Sequence, residues 1–226
     1  MGFSRVVWLI VRKDLMVEVR SREIAYTTLF FAMTCVLMFA FALVREGRAP
    51  EESAAAVLWI AVMFAGLLAL GRTFERERQA ETLRALLLAP APRPAVYVGK
   101  LLGMVVLLLL AEVILVPLIA LLFDARLLAH PFWLTGVVVT GTLGFAAVGT
   151  LFAAMLVRAR SRDVLLPVLL FPITVPVMIA GVRGTAALLQ PELDEAIVRF
   201  WLALLVAFDV VFVTLALWTF EPVMTD

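Results

Sequence analysis

The chain has 226 residues, 64% of them hydrophobic and 16% charged, with a formal net charge of +1 and a mean hydropathy of +1.08. That apolar fraction is far above a soluble domain's and leaves little room for a separate one. A single cysteine, Cys35, excludes an intrachain disulfide framework or a thiolate metal site.

Residues 1–23 predict an amphipathic helix lying in the membrane interface. Phe3, Val6, Val7, Ile10 and Val11 share one face, while Arg5, Arg12, Lys13 and Arg20 supply a basic one. Apolar burial and anionic lipid would hold such a helix at the headgroups. The VVWLIV segment is too short for a signal-peptide core and no cleavage site follows, so the start is read as mature.

Six apolar runs follow: Ile24–Val44, Ala54–Leu70, Leu101–Phe123, Phe132–Val157, Val164–Val182 and Phe200–Phe220. Each suits the roughly 20 helical residues that cross a hydrocarbon core. They are continuously apolar rather than alternating, which selects helices over barrel strands. The fold class is therefore all-α: residues 24–220 form one six-span membrane domain, and 221–226 a short tail. Of the 19 Lys and Arg residues, fourteen fall on the side of the N-terminus and five on the other. Positive charge stays cytoplasmic, so both termini and the 72–100 loop are expected to face the cytoplasm.

That loop, RTFERERQAETLRALLLAPAPRPAVYVGK, carries six of the basic residues. Glu75/Arg78 and Glu81/Arg84 are opposite charges three apart on a helix. Ala80, Leu83 and Leu87, with Leu86 beside them, make one apolar face, and Pro90, Pro92 and Pro94 stop it. The positive-inside rule accounts for the arginines, but not for interleaved glutamates or for an apolar LRALLLAP outside a span. A docking helix for a soluble partner accounts for both. Its candidate contacts are Glu75, Arg76, Glu77, Arg78, Glu81, Leu83, Arg84, Leu86 and Leu87.

Glu112 in the third run and Asp209 in the sixth sit near mid-membrane with no Lys or Arg at their depth. An isolated charge there costs roughly 2.5–3.5 kcal/mol on insertion scales, so both should face the protein interior or carry a proton. They could share one proton, bond threonine hydroxyls, or line a substrate or proton path. The fourth run is rich in small residues, Gly136, Gly141, Gly144, Gly149, Ala153 and Ala154, suited to close packing in the bundle or against a second copy. In the fifth run, Pro167, Pro172 and Pro176 disturb the carbonyls of Asp163, Val168 and Pro172. A hinge or gate and a kink that only shapes packing are both open, and a straight, regular helix is not expected. Beyond it, Arg183–Leu189 could form a short re-entrant segment, and Pro191 followed by three acids reads as the start of the sixth helix.

The order ERERQAETLRALLLAPAPRPAVYVGKLL resembles the cytoplasmic region of type-2 ABC transporter permeases, with a coupling helix before a Pro-containing turn and a Gly-Lys. RSRDVLLPVLLFPITVPVMIAG, residues 160–181, resembles the proline-rich fifth span of CcmB, the heme-exporter-type permease of cytochrome c maturation. KDLMVEVRSRE and the six-span layout are similar too. Ala80 and Arg84 depart from the family's usual Gly and acidic residue around the coupling leucine. The resemblance implies a non-catalytic permease subunit in the bacterial inner membrane, with Glu75–Leu88 passing a separate ATPase's cycle into the spans. It implies a CcmA-type ATPase and CcmC-type and CcmD-type heme-handling subunits as partners, with heme as the handled ligand and no cofactor of the chain's own. Membrane lipid is a further partner, a second permease copy an open one, and nucleic acid none. The alternatives are a type-2 permease exporting lipid, drug or polysaccharide, and a scaffold that transports nothing. No Walker A loop, nucleophilic triad or metal-ligand cluster is present in the sequence, so no catalytic or metal residue is assigned. His130, at the outer edge of the fourth run, could be read as a heme ligand. Its isolation favours an ordinary loop residue, and the lack of Cys-x-x-Cys-His excludes covalent attachment.

Overall fold

A computed structural model describes residues 2–43, 53–79, 92–156, 159 and 161–225, with 73–79 and 221–225 described by their helical backbone alone. Among these residues there are seven helices and no strand: α1 (Phe3–Ser21), α2 (Glu23–Ala42), α3 (Ala54–Gln79), α4 (Arg93–Leu122), α5 (Pro131–Met155), α6 (Arg162–Leu188) and α7 (Glu195–Thr225). A 3-10 turn, Leu127–Ala129, precedes α5. Helices α2 to α7 are each long and apolar enough to cross a membrane.

The apolar runs form the spans because a helix satisfies its own backbone where water is absent, but charge does not mark where the helices end. Helix α3 continues past Leu70 and through Arg72 to Gln79. The charge pattern predicts a separate surface helix from Arg72 onward; its first turns instead prolong the span. Likewise α4 begins at Arg93, eight residues before the apolar run, because Pro94 suits a first helical turn that has no donor to lose. Helix α6 runs to Leu188, which replaces the re-entrant segment expected at Arg183–Leu189. It also stays helical through all three of its prolines. Helix α7 begins at Glu195 rather than near Pro191, since Asp194 caps it: its Oδ1 accepts from the Ala196 and Ile197 amides at 2.9 and 3.4 Å.

Helix α5 is the centre of the bundle and packs on α3, α4, α6 and α7. Its small residues serve contacts within the chain. Trp59 of α3 lies between Gly141 of α5 and Gly181 of α6, where any Cβ would collide with the indole. The indole Nε1 donates to Thr185 Oγ1 at 3.0 Å, so its polar edge is satisfied inside the core. Leu70 fills the space over Gly149, and Phe145 the space over Gly66.

Helix α1 is amphipathic as expected, but its apolar face finds protein. Val6 and Ile10 pack against Ala95 of α4, and Ile10 lies so close to Gly99 that a Cβ there would meet it at 2.8 Å. Phe3, counted in the same face, is exposed. Arg22 joins α1 to α2 in a left-handed conformation with φ of 53°, its amide bonding Glu18 O at 2.6 Å. The Glu18 side chain reaches across the joint and accepts from the Ala25 amide at 2.6 Å, capping α2.

Candidate coupling end and buried carboxylates

The residues of the expected docking helix divide between two situations. Glu75, Arg76, Glu77 and Arg78 lie on the last turns of α3. Glu81, Leu83, Arg84, Leu86 and Leu87 lie outside the described residues. What is described is the pair of roots from which this segment springs, and both roots are fastened.

On the α3 side, Arg72 pairs with Glu23 at the start of α2, at 3.3 Å and largely exposed to solvent. One residue earlier, the main-chain carbonyl of Gly71 accepts from Arg162 Nη2 at 2.7 Å. Arg162 opens α6 and is buried, whereas its neighbour Asp163, 3.4 Å from Arg162 Nε, is exposed. On the α4 side, Lys100 donates to Asp14 of α1 at 2.8 Å, with the Lys side chain only 4% exposed. Gly103, one turn on, faces the same Asp14 side chain at an ordinary contact distance. Asp14 also meets Lys13 at 3.0 Å, so this carboxylate lies between two ammonium groups, one exposed and one buried. In the sequence, Lys100, Arg162 and Asp14 enter through the charge pattern and the motifs that carry the resemblance, and none of them is given a contact. Lys100 and Arg162 each sit beside a predicted span end, where a snorkelling side chain would be equally acceptable.

The two mid-membrane acids both face the interior. Glu112 is 3% exposed, and its Oε1 accepts from the Thr142 hydroxyl of α5 at 2.5 Å. Of the arrangements open from sequence, a threonine partner is thus the one found for this residue. Asp209 is buried against Gly144 of α5, where a Cβ would come within 2.7 Å of its Oδ1. Positions 142 and 144 point about 200° apart on a helix, so α5 stands between the two carboxylates. Oε2 of Glu112 and Oδ1 of Asp209 have no hydrogen-bond partner among the described residues.

The three prolines of α6 are distributed along its outer side. Pro172 and Pro176 are exposed and Pro167 is half-buried, whereas Leu166, Leu170, Thr174 and Val177 point inward. The Thr174 hydroxyl donates back to the Leu170 carbonyl at 2.9 Å. His130 stands at the N-terminal boundary of α5, half-buried, and its carbonyl takes the Leu134 amide at 3.0 Å.

A sequence model of the CcmB protein family matches residues 5–224. A Rhodobacter capsulatus protein named heme exporter protein B is 30% identical over 172 residues, 76% of this chain and 78% of its own length. The Pseudomonas aeruginosa protein of the same name is 28% identical over 199 residues, 88% of each chain. That of Bradyrhizobium diazoefficiens is 25% identical over 184 residues, 80% of this chain and 81% of the relative.

Proposed function

The chain belongs to the CcmB family, and from that membership and the geometry above we propose that it is the membrane permease subunit of an ATP-driven complex for cytochrome c maturation, handling heme. Relatives that match over most of their length carry the name heme exporter protein B, which supports the heme assignment. In this reading the chain hydrolyses nothing itself. A CcmA-type ATPase docks on Glu75–Leu88 from the cytoplasm, and CcmC-type and CcmD-type subunits share the heme work. The complex sits in the bacterial inner membrane with both termini cytoplasmic, as the fourteen-to-five division of basic residues supports.

The observation that carries the coupling role is the continuity of α3. One helix joins Trp59, held between α5 and α6, to Arg76 and Arg78 at the root of the docking segment. At 1.5 Å of rise per residue the two are joined by about 26 Å of unbroken helix, so a push delivered at one end is carried to the core of the bundle.

The test replaces Leu83 and Leu86 together by Asp and asks whether the ATPase still co-purifies. Loss of the ATPase with membrane insertion intact is expected. Normal co-purification overturns the docking assignment. Orientation is checked by single-cysteine labelling in a Cys35→Ser background, where position 79 should resist an impermeant reagent applied to intact cells.

A further inference from the structure

We propose that Arg162 is a positioning residue that ties the first turn of α6 to the backbone of α3, so that movement of the 72–79 end of α3 shifts the stretch of α6 that precedes Pro167. The inference rests on the coupling reading above.

Arg162 is placed where general rules disfavour it. It is the first residue of α6, where the helix dipole repels a cation. It is also buried, although a positive-inside charge would be satisfied by any exposed basic residue. Burial of a guanidinium needs strong compensating bonds. The short one goes to the Gly71 carbonyl at 2.7 Å, 91 residues away in sequence. A carbonyl has two lone pairs, so it can take this donor without giving up a helical partner. Because the acceptor is main chain, no rotamer change on α3 can absorb a displacement. The bond follows the backbone itself.

Beyond the burial of Leu166 and Leu170 in the same apolar cluster as Ala69 and Leu70, two further specific ties join α3 to α6 among the described residues. The rings of Phe64 and Phe171 meet edge-to-face with centroids 6.3 Å apart. Trp59 bonds Thr185 at 3.0 Å and lies against Gly181. The three prolines fall between these ties. Pro167 separates Arg162 from Phe171, and Pro172 and Pro176 separate Phe171 from Gly181. A proline weakens the helix as a rod because it removes an internal bond and kinks the axis. Each stretch of α6 between its weak points is therefore gripped by α3 separately, and the Gly71 bond grips the stretch before Pro167. Replacing Arg162 should release that stretch while the two upper ties keep the fold.

The experiment uses the complete complex with its ATPase, in a Cys35→Ser background. Spin labels are placed at Tyr26 and Gln79 in one sample and at Tyr26 and Val164 in another; Tyr26 and Val164 are exposed. Distances are measured without nucleotide and with a non-hydrolysable ATP analogue. In the otherwise native chain both distances should change. In Arg162→Gln the Tyr26–Gln79 change should persist, while the Tyr26–Val164 change is lost or clearly reduced, since the charge-assisted bond that carries it is gone. Arg162→Lys, which keeps a donor but not the fork, should fall between. A purely structural role would alter both pairs or neither. An undiminished Tyr26–Val164 change in Arg162→Gln overturns the inference alone, as does a native complex in which only Gln79 moves. A native complex in which Gln79 does not respond overturns the coupling reading and the inference with it. If Arg162→Gln does not assemble, Arg162→Lys is read in its place with the same outcomes.

Discussion

The spanning parts of α5 and α7 are 25 and 26 residues long, and that of α7 has the higher hydropathy, yet 72% of the spanning window of α5 is buried in the protein and only 17% of that of α7. In water the more hydrophobic helix would be the inner one. In lipid there is no such drive, because acyl chains solvate Leu and Phe as well as other helices do. What selects α5 for the centre is the shape of its surface. Glycines at 141, 144 and 149 leave sockets that Trp59, Asp209 and Leu70 fill, and Thr142 supplies a hydroxyl for Glu112. Helix α7 presents Phe200, Val210, Val211 and Trp218 outward instead, and to α5 it offers Leu202 over Gly136 and Phe208 with the buried Asp209 at Gly144. Close fit therefore decides position here, and hydrophobicity decides only that the helix is in the membrane.

Substitutions along these two helices and their partners break or sharpen that contrast. The largest effect is expected for Trp59→Ala, which empties the space between Gly141 and Gly181 and strips Thr185 of its donor. A loss of about 3–5 kcal/mol is expected, read as thermal aggregation of the detergent-purified chain at a much lower temperature. Gly141→Leu attacks the same fit from the other side by overfilling it, at about 1–3 kcal/mol. If this variant is as stable as the parent, shape is not what seats α5. Thr142→Val removes the hydroxyl bonded to Glu112 while keeping the volume. Interhelical bonds of this kind in membranes contribute about 0.6 kcal/mol on average and up to about 1.7, so a modest fall in thermal midpoint should follow. The smallest effect belongs to α7: Trp218→Leu, at a residue 79% exposed, should change stability by no more than about 0.5 kcal/mol. A large loss there in the isolated chain would show that α7 is not the lipid-facing partner in this comparison.

The six spans are legible in the sequence because an apolar run long enough to cross a bilayer is seldom anything but a membrane helix. Their ends are less so. A hydropathy run stops where charge begins, but helical hydrogen bonding does not, which is why α3 passes Arg72 and α4 starts at Arg93. Pro191 hides the Asp194 cap because both are helix-start residues three apart, and only the backbone shows which is used. The amphipathic pattern of α1 is visible, whereas its docking on α4 is not. A basic amphipathic helix satisfies the same pattern against lipid or protein, and the deciding pair, Asp14 with Lys100, is far apart in sequence. The glycines of α5 announce close packing without naming Trp59 as the knob, since an indole in an apolar run gives no sign of where it points. The coupling pattern spans Glu75–Leu87, and the structure speaks to the backbone of its first four members alone.

The Asp14–Lys100 pair also has a consequence in time. Its two members are 86 residues apart, so at synthesis rates of about 5–20 residues per second Lys100 is made roughly 4–17 s after Asp14. Throughout that interval the newborn α1 has no α4 to receive Val6, Ile10 or its acid. The contact between α1 and the third span can therefore form only after that span is made, which places it late in the synthesis of the first half of the bundle.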